Sequence, residues 1–224
     1  NIDDGLSDAN ISSLSLTDNG DILAATDQGI NSCSITGNKK KVSVIGPKQG
    51  LPDYIVTCIS KAGNNIFWIG LQDKGFCLYD HNLKQIILPK GTANWLFGQV
   101  NAILPEQGNL WIATQQSGLL KYNSATGILL PVAEASDYKN INSLLKDNQG
   151  NIWLSTPDRG LVRSPGAALK LISLVNAPAF EHIHAIMGDK SGNIWLNDKN
   201  NGLIKYSSKD ERYVPKIQLL REMD

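Results

Sequence analysis

Short apolar segments alternate with polar turns along the whole chain, and no segment shows the helical spacing of apolar positions at about every 3.6 residues. The turns are rich in Gly, Asn and Asp, residues that tight hairpins prefer. In one representative stretch, such turns separate four strand-length segments at 141–145, 152–156, 161–164 and 169–175. The pattern therefore predicts groups of four short strands.

This group recurs five times, and each copy has a turn of the Gly-Asn-x-Trp type before its second strand. The first copy reads Gly20-Asp21-Ile22-Leu23, and the tryptophans of the other four recur at intervals of 42 or 43 residues. A repeat of about 40 to 50 residues with four strands per copy is typical of propeller blades. The sequence thus predicts an all-β fold, a β-propeller of about 42-residue four-stranded blades at 11–45, 55–88, 100–132, 141–175 and 183–220.

The repeated tryptophan has a structural interpretation. A blade is a small twisted sheet that cannot bury its faces alone, so it must pack face to face with its neighbours. A large ring on the second strand, at Trp68, Trp111, Trp153 and Trp195, is predicted to fill the wedge between adjacent blades.

Charge and hydropathy narrow the choice of partners. The chain has 21 basic and 21 acidic side chains and a formal net charge of zero. Because phosphate binding depends on a basic excess, nucleic acid is not an expected partner. The cationic cluster Lys39-Lys40-Lys41 is predicted in a solvated turn between the third and fourth strands of the first blade. No apolar run is long enough to cross a bilayer, so this segment is expected to make no direct membrane contact.

Three cysteines, Cys33, Cys58 and Cys77, are predicted to be small buried hydrophobic residues. Cys58 and Cys77 fall on the first and third strands of one blade, so their backbones should lie about 9.6 Å apart at ~4.8 Å per strand. A disulfide requires Cα atoms within ~6.8 Å. That pair is therefore predicted to be unbonded.

The repeat can be written Gly-Leu-x4-Ile-x2-Leu followed by Gly-Asn-x-Trp-Leu-x-Thr-x3-Gly-Leu, as seen at 5–11, 50–55 and 150–161. It resembles the two-component regulator propeller repeat over essentially the whole chain. The resemblance implies an extracytoplasmic sensor of Bacteroidetes hybrid two-component regulators, many of which respond to polysaccharide breakdown products. Such sensors usually have two seven-bladed propellers, a β-sandwich, a membrane helix and a histidine kinase.

The chain departs from this pattern because it has five repeats and none of the later modules. Residues 1–224 are predicted to form a single propeller domain, either a closed five-bladed ring or part of a seven-bladed ring. All four strands of the last blade come from the C-terminal stretch, so no strand remains to join the two ends of a ring. An open ring would expose an apolar blade face at each end. The remaining blades, or a second copy of the chain, are then the expected partners.

No catalytic motif stands out, and no catalytic residue, cofactor or metal site is predicted. His182 and His184 alternate at the start of a strand and so point to one face. A two-ligand metal site and a plain polar edge both fit that pair, and the polar edge is favoured. The segment is accordingly predicted not to be an enzyme.

Ligand-binding residues are expected in loops, because strands serve packing. In a propeller, the connection between blades and the turn between the second and third strands open on the same face. Trp95 is the tryptophan outside the repeated position and could stack on a sugar ring, or it could fill the groove between two blades together with Phe97. Asp158 and Arg159 could hold a carboxylate or hydroxyl, or form a solvated turn. The predicted ligand-binding residues are Tyr54, Trp95, Phe97, Tyr138, Asp158, Arg159 and His182.

Three functions from different classes remain open. The first, favoured by the resemblance, is a periplasmic sensor propeller that recognises an oligosaccharide and signals to a downstream histidine kinase. The second is a protein-interaction scaffold of the cell surface or secretion apparatus. The third is a propeller lyase or glycosidase, which would need two convergent carboxylates or a metal. Fold alone does not decide among them.

Overall fold

A computed structural model describes residues 2–36, 39–91, 97–164, 172–173, 183–199, 202–207 and 212–215. Within these ranges the strands form five four-stranded antiparallel sheets, and in each sheet the strands pair in chain order. This meander is the topology of a propeller blade. The predicted all-β fold of five four-stranded propeller blades is confirmed.

The strands have the following bounds. Blade 1 contains β1 (Ile11–Leu16), β2 (Ile22–Thr26), β3 (Gly29–Thr36) and β4 (Lys39–Ile45). Blade 2 contains β5 (Val56–Gly63), β6 (Ile66–Leu71), β7 (Phe76–Asp80) and β8 (Gln85–Ile87). Blade 3 contains β9 (Val100–Glu106), β10 (Asn109–Thr114), β11 (Leu119–Asn123) and β12 (Leu129–Pro131). Blade 4 contains β13 (Ser143–Lys146), β14 (Ile152–Thr156), β15 (Gly160–Ser164) and β16 (Ile172–Ser173). Blade 5 contains β17 (Ile183–Gly188), β18 (Asn193–Asp198), β19 (Gly202–Ser207) and β20 (Arg212–Pro215).

Helical structure within the described ranges consists of short 3-10 turns at Ile2–Asp4, Pro47–Gln49 and Ala133–Ala135. None of these is long and apolar enough to span a membrane.

The lysine cluster corrects one expectation from the sequence. Lys39, Lys40 and Lys41 begin β4 and do not lie in a turn. Lys40 and Lys41 are exposed, and β4 is the edge strand of its sheet. Charged side chains suit an exposed edge strand because they discourage pairing with other chains.

The chain divides into two compact units, Asn1–Pro131 with blades 1 to 3 and Val132–Asp224 with blades 4 and 5. In the first unit, Trp68 of β6 is 7% exposed and lies edge-on to Tyr122 of blade 3, with ring centroids 6.4 Å apart. It shares a buried cluster with Phe76 of its own blade and Val100 of blade 3. The predicted packing role of the repeated tryptophan is confirmed here.

The second unit repeats this arrangement. Trp153 of β14 is fully buried and lies edge-on to Tyr206 of blade 5, with a centroid distance of 5.4 Å. Its cluster includes Ile183, Ile186 and Ile194 of blade 5. In both units the tryptophan face of one blade therefore packs on the blade that follows it.

Polar side chains in or just before the first strand of a blade add a repeated link between blades. The Ser12 Oγ donates to the carbonyl of Val56 at 2.7 Å, and the Thr57 Oγ1 donates to the carbonyl of Val100 at 2.5 Å. In the second unit, the Asn142 Nδ2 donates to the carbonyl of Ile183 at 2.8 Å. Ser12 and Thr57 lie at bulges in their strands, and a bulge can redirect a side chain.

All three cysteines are free thiols, as expected. Cys58 and Cys77 are buried, and burial raises the pKa of each thiol to about 12. Cys33 is only half-buried, which corrects the prediction that all three are buried. The difference arises because Cys33 lies on the side of blade 1 that faces away from blade 2.

In blades 4 and 5, the turn before the repeated tryptophan is hydrogen-bonded to the indole. The Asp147 carboxylate accepts a hydrogen bond from the Trp153 Nε1 at 2.8 Å, and the Asp189 carboxylate accepts one from the Trp195 Nε1 at 3.0 Å. Each aspartate also accepts hydrogen bonds from the Asn that follows the turn glycine, at its backbone N–H and its side-chain amide. The Gly-Asn-x-Trp turn is thus held by an aspartate that the sequence analysis did not single out.

These hydrogen bonds change the acidity of both carboxyl groups. Burial opposes ionisation of Asp147, but hydrogen bonds from Asn151 and Trp153 outweigh it and lower the pKa of this carboxyl below its usual range. At Asp189, hydrogen bonds from Asn193 and Trp195 lower the pKa to about 2. Both turns are therefore held by ionised carboxylates near neutral pH.

Candidate ligand-binding loops

A buried threonine at the end of the second strand shapes the turn to the third strand in three blades. The Thr26 Oγ1 donates to the carbonyl of Gly29 at 2.9 Å, the Thr114 Oγ1 to that of Gly118 at 2.9 Å, and the Thr156 Oγ1 to that of Gly160 at 3.2 Å. Each hydroxyl also accepts a backbone N–H from within its turn. Because these threonines are fully buried, they fix the base of a turn whose tip lies in solvent.

The connection that leads into each blade lies beside this turn. In blade 1, the Asn10 Nδ2 donates to the Asp27 Oδ2 at 2.8 Å. In blade 2, the Asp53 Oδ2 accepts the backbone N–H of Asp73 at 2.9 Å. The two kinds of loop therefore open at the same end of the blade, as predicted.

Tyr54 lies in the connection into blade 2 and is 58% exposed. Its neighbour Asp53 also accepts the backbone N–H of Ile55, at 3.4 Å, so the carboxylate fixes the backbone on both sides of the tyrosine. The phenol ring is thereby presented to solvent from an ordered loop. This position suits an aromatic that contacts a ligand.

Of the two aromatic residues predicted at 95 and 97, the structure describes only Phe97. Trp95 lies outside the described residues. Phe97 is 9% exposed and packs against Phe76, with ring centroids 6.5 Å apart. The structure thus places Phe97 in the cluster between blades 2 and 3, which is the packing alternative considered for this segment.

In the second unit, the structure brings Tyr138 and Arg159 together. The Arg159 guanidinium lies over the Tyr138 ring, 5.3 Å from its centroid. The 3-10 turn Ala133–Ala135 positions the tyrosine, since the Tyr138 N–H donates to the carbonyl of Ala135 at 3.0 Å. On the other side, the Arg159 N–H donates to the Thr156 Oγ1 at 3.0 Å. Both members of the pair are therefore fixed through their backbones.

The solvent exposure of Tyr138 and Arg159 suits ligand binding more than core packing. Tyr138 is half-buried, while Arg159 and its neighbour Asp158 are exposed. A guanidinium offers several N–H donors in a planar fork, and it suits carboxylate and hydroxyl oxygens. Together the ring, the guanidinium and the Asp158 carboxylate provide stacking, donors and acceptors within one loop pair.

The histidines contribute little to these loops. His182 lies outside the described residues, and His184 is an exposed side chain of β17. Within the ranges that the structure describes, there is no cluster of three or more His, Cys, Asp or Glu side chains that could hold a metal ion.

Asn10, Asp27 and the buried threonines were not among the predicted site residues. The threonine is part of the repeat written above, four residues before the turn glycine in blades 3 and 4, but the repeat alone does not show that its hydroxyl holds the turn. The contact between Tyr138 and Arg159 had no such signal, since a blade-to-blade connection varies in length from copy to copy.

Comparison with known proteins supports the predicted resemblance. The family described as "Two component regulator propeller" matches residues 136–158, a segment that includes Tyr138 and Asp158. This match confirms the resemblance to that repeat over these residues. No curated protein matches the chain.

Solved structures share the fold at low sequence identity. The extracellular domain of the hybrid two component system BT3049 from B. thetaiotaomicron superposes with a TM-score of 0.76 at 17% identity, covering 96% of this chain. The extracellular domain of BT4673 from the same organism gives a TM-score of 0.76 at 19% identity over 94% of this chain. The chain spans 31% of the length of each of these proteins. A computationally designed protein, Ika8, gives a TM-score of 0.58 at 13% identity, covering 91% of this chain and 72% of the designed chain.

Proposed function

We propose that this chain, with its two component regulator propeller repeat, is a ligand-binding segment of an extracytoplasmic sensor that recognises an oligosaccharide. The observation that carries the proposal is the Tyr138–Arg159 pair, which lies at the loop end of the blade that the family matches. The extracellular domains with the same fold come from proteins described as hybrid two component systems. By this analogy, binding would be reported to a histidine kinase in another part of the protein, and the segment would lie in the periplasm.

The chemistry of the pair suggests which ligands bind. A sugar ring presents an apolar face of C–H groups to an aromatic ring and hydroxyls at its edge to polar side chains. Arg159 adds a cation that a uronic acid carboxylate would pair with more strongly than a neutral hydroxyl does. We therefore expect oligosaccharides with uronic acid residues to bind more tightly than neutral ones of the same length.

Calorimetry with a panel of neutral and uronic-acid oligosaccharides tests this function. We expect one class of oligosaccharide to bind the wild-type chain, and Arg159→Ala to weaken binding about tenfold or more, because a hydrogen bond to a charged group is worth roughly 1.5–3 kcal/mol. Tyr138→Ala should also weaken binding, while Tyr138→Phe keeps the ring and should retain most of the affinity. Trp95→Ala shows whether the predicted stacking tryptophan belongs to the same site.

A matched control comes from blade 3, where the Lys121 ammonium lies 4.8 Å from the centroid of the Trp111 ring. Lys121→Ala removes the same type of cation–aromatic contact from the face of a sheet and should leave binding unchanged. Equal affinity of the wild type and Arg159→Ala would contradict the proposed site. Failure of every oligosaccharide to bind would contradict the proposed ligand class and leave the scaffold alternative.

The same samples separate binding from catalysis. A sensor should release the oligosaccharide intact, so the ligand recovered after incubation should be chemically unchanged. Shortened or unsaturated products would instead support the lyase or glycosidase alternative.

A further inference from the structure

A cavity of about 120 Å³ lies between the aspartate turns of blades 4 and 5, both of which belong to the second unit. Leu145 and Ile194 line it with apolar groups, and polar groups come from Asp147, Asn148 and Asp189. The strand β14 runs from the aspartate turn to the next turn of blade 4, so the cavity and the candidate ligand-binding loops lie at opposite ends of this blade. The cavity is therefore separate from the proposed oligosaccharide site.

The backbone N–H of Asn148 is a hydrogen-bond donor without an acceptor in the part of the chain that the structure describes. The turn that contains it, 147–151, is closed by two backbone hydrogen bonds, and the same two bonds close the turn 17–21 of blade 1. Asp18 of blade 1 therefore holds the position of Asn148. The contacts of Asp18 show what this N–H binds when an acceptor is present.

Between blades 1 and 2, two side chains of blade 2 contact this position. The Asn65 Oδ1 accepts the backbone N–H of Asp18 at 2.5 Å, and the Lys61 ammonium pairs with the Asp18 carboxylate. In blade 5, Gly188 replaces Lys61, since each pairs with the residue before the repeated tryptophan. Gly192 replaces Asn65, since each lies three residues before that tryptophan with a positive φ, 83° and 60°. The cavity thus lies where two side chains fill the groove between blades 1 and 2.

Close packing imposes neither of the two glycines. A Cβ on Gly192 would meet no atom within 4 Å, and a Cβ on Gly188 would lie 3.6 Å from the Leu145 Cδ2, which is an ordinary contact. Both glycines line the cavity. The space is therefore left open by the choice of residues and not by crowding of the backbone.

We propose that the cavity binds a small molecule that carries a carboxamide group. The carboxamide oxygen accepts the Asn148 N–H, in the way that the Asn65 side chain accepts the equivalent N–H in blade 1. The carbon atoms of the ligand contact Leu145 and Ile194. The inference does not depend on the proposed oligosaccharide.

The charges around the cavity select among carboxamides. Two carboxylates, those of Asp147 and Asp189, line it together with one ammonium group, that of Lys146. An excess of negative charge attracts a ligand ammonium and repels a ligand carboxylate. Lys61 provides a precedent, since its ammonium lies next to the Asn65 carboxamide in the groove between blades 1 and 2. We therefore expect an amino-acid amide to bind more tightly than a neutral amide, and the corresponding amino acid to bind least.

A nuclear magnetic resonance titration of the isotope-labelled chain tests the site with glycinamide, acetamide and glycine. We expect the Asn148 amide resonance to shift saturably with glycinamide in the millimolar range, because a ligand of a few heavy atoms has a low limit of affinity. Acetamide should require a higher concentration for the same shift. Glycine, which has a carboxylate in place of the carboxamide, should require the highest concentration of the three.

Two variants fill the cavity from within the protein. Gly192→Asn supplies a carboxamide at the position of Asn65, and asparagine tolerates a positive φ. This variant should lose the shift with glycinamide, and its Asn148 amide hydrogen should exchange more slowly than that of the wild type. Gly188→Ala adds one methyl group beside Leu145 and should weaken glycinamide binding without backbone strain.

Gly150→Asn is the matched control. Gly150 holds the same turn position in blade 4, with a φ of 85° and no atom within 4 Å of an added Cβ, but it is not among the residues that line the cavity. This variant should bind glycinamide like the wild type. Arg159→Ala should also keep glycinamide binding, which separates this cavity from the proposed oligosaccharide site.

Three results would overturn the proposal. The first is a wild-type chain whose Asn148 amide shows no saturable shift with glycinamide. The second is an equal affinity for glycine and glycinamide, which would show that the carboxamide is not recognised. The third is glycinamide binding that is as strong in Gly192→Asn and Gly188→Ala as in the wild type.

Discussion

Trp153 and Trp195 occupy the same position in neighbouring blades, yet one is fully buried and the other is partly exposed. Both indoles donate to the carboxylate of an aspartate in the preceding turn, so the turn itself is the same in both blades. Blade 5 buries Trp153, and the contrast with Trp195 separates two roles of the repeat. The motif specifies the blade and its turn, whereas a neighbouring blade supplies the burial.

The largest expected effect is on the stability of the covered tryptophan. Trp153→Ala should lower the free energy of unfolding by about 3–5 kcal/mol, because it leaves a cavity between blades 4 and 5. Trp195→Ala should cost clearly less, since its indole is already partly in solvent. Urea unfolding at low protein concentration, followed by circular dichroism, measures both. Equal losses would contradict the assignment of burial to the neighbouring blade.

The next effect concerns the residue two positions after the tryptophan. A Cβ at Gly70 would lie 2.4 Å from the Cys58 Sγ and 2.8 Å from the Val100 Cγ1, so Gly70→Ala should cost about 1–3 kcal/mol of unfolding free energy. The equivalent residue of blade 5, Asn197, is exposed, and Asn197→Ala should change stability by less than about 0.5 kcal/mol. A Gly70→Ala chain as stable as the wild type would show that the interface between blades 2 and 3 is looser than described.

A smaller effect is expected at the aspartates of the two turns. Asp147→Asn and Asp189→Asn keep the shape of the side chain but remove the charge that strengthens the indole hydrogen bond. Both should lower the midpoint of urea unfolding, by less than Gly70→Ala does. Asp158→Asn is the control, because that carboxylate is exposed at the tip of its turn. An unchanged urea midpoint for both Asp147→Asn and Asp189→Asn would contradict the role of these aspartates in holding the tryptophan turn.

The smallest effect is a dependence of stability on acid pH. The pKa of Asp189 is lowered from 3.8 to about 2 by its hydrogen bonds, so ionised Asp189 stabilises the folded state above pH 3.8. That stabilisation should be lost as pH falls from 3.8 towards 2, because the unfolded chain binds the proton first. Asp189→Asn should therefore lose less stability than the wild type over this window in thermal melts. If the melting temperatures of the wild type and Asp189→Asn fall equally with pH over this window, the lowered pKa of Asp189 is contradicted.

A feature of the structure could be predicted from the sequence where it recurs in each copy of the repeat. The blades were predicted because the tryptophan recurs at nearly constant spacing, and packing between blades is the same problem in each copy. The aspartate beneath the indole was missed, although Asp-x-x-Gly-Asn-x-Trp occurs at both Asp147 and Asp189. An aspartate is common in any tight turn, so the sequence alone does not distinguish a carboxylate that binds the indole from one that is solvated.

The loops were less predictable because contacts between them depend on backbone geometry. The sequence placed Tyr138 and Arg159 at one end of a blade, but only the fold brings the guanidinium over the ring. Phe97 illustrates the opposite outcome, since a residue expected in a loop turns into the core between blades 2 and 3. The sequence predicts a turn for the lysines of β4, because exposed edge strands and turns share a polar composition.

The central claim is that the loop end of a blade binds the ligand, whereas the faces of the blades pack against each other. Hydrogen exchange measured by mass spectrometry tests this claim most directly. It is measured with and without an oligosaccharide that calorimetry shows to bind. Blade 4 offers both ends in one sheet, with the candidate loops at residues 137–140 and 157–160 and the aspartate turn at 147–151. The account predicts slower exchange in the two candidate loops and unchanged exchange in the aspartate turn. Protection confined to the aspartate turn, or absent from both candidate loops, would contradict it.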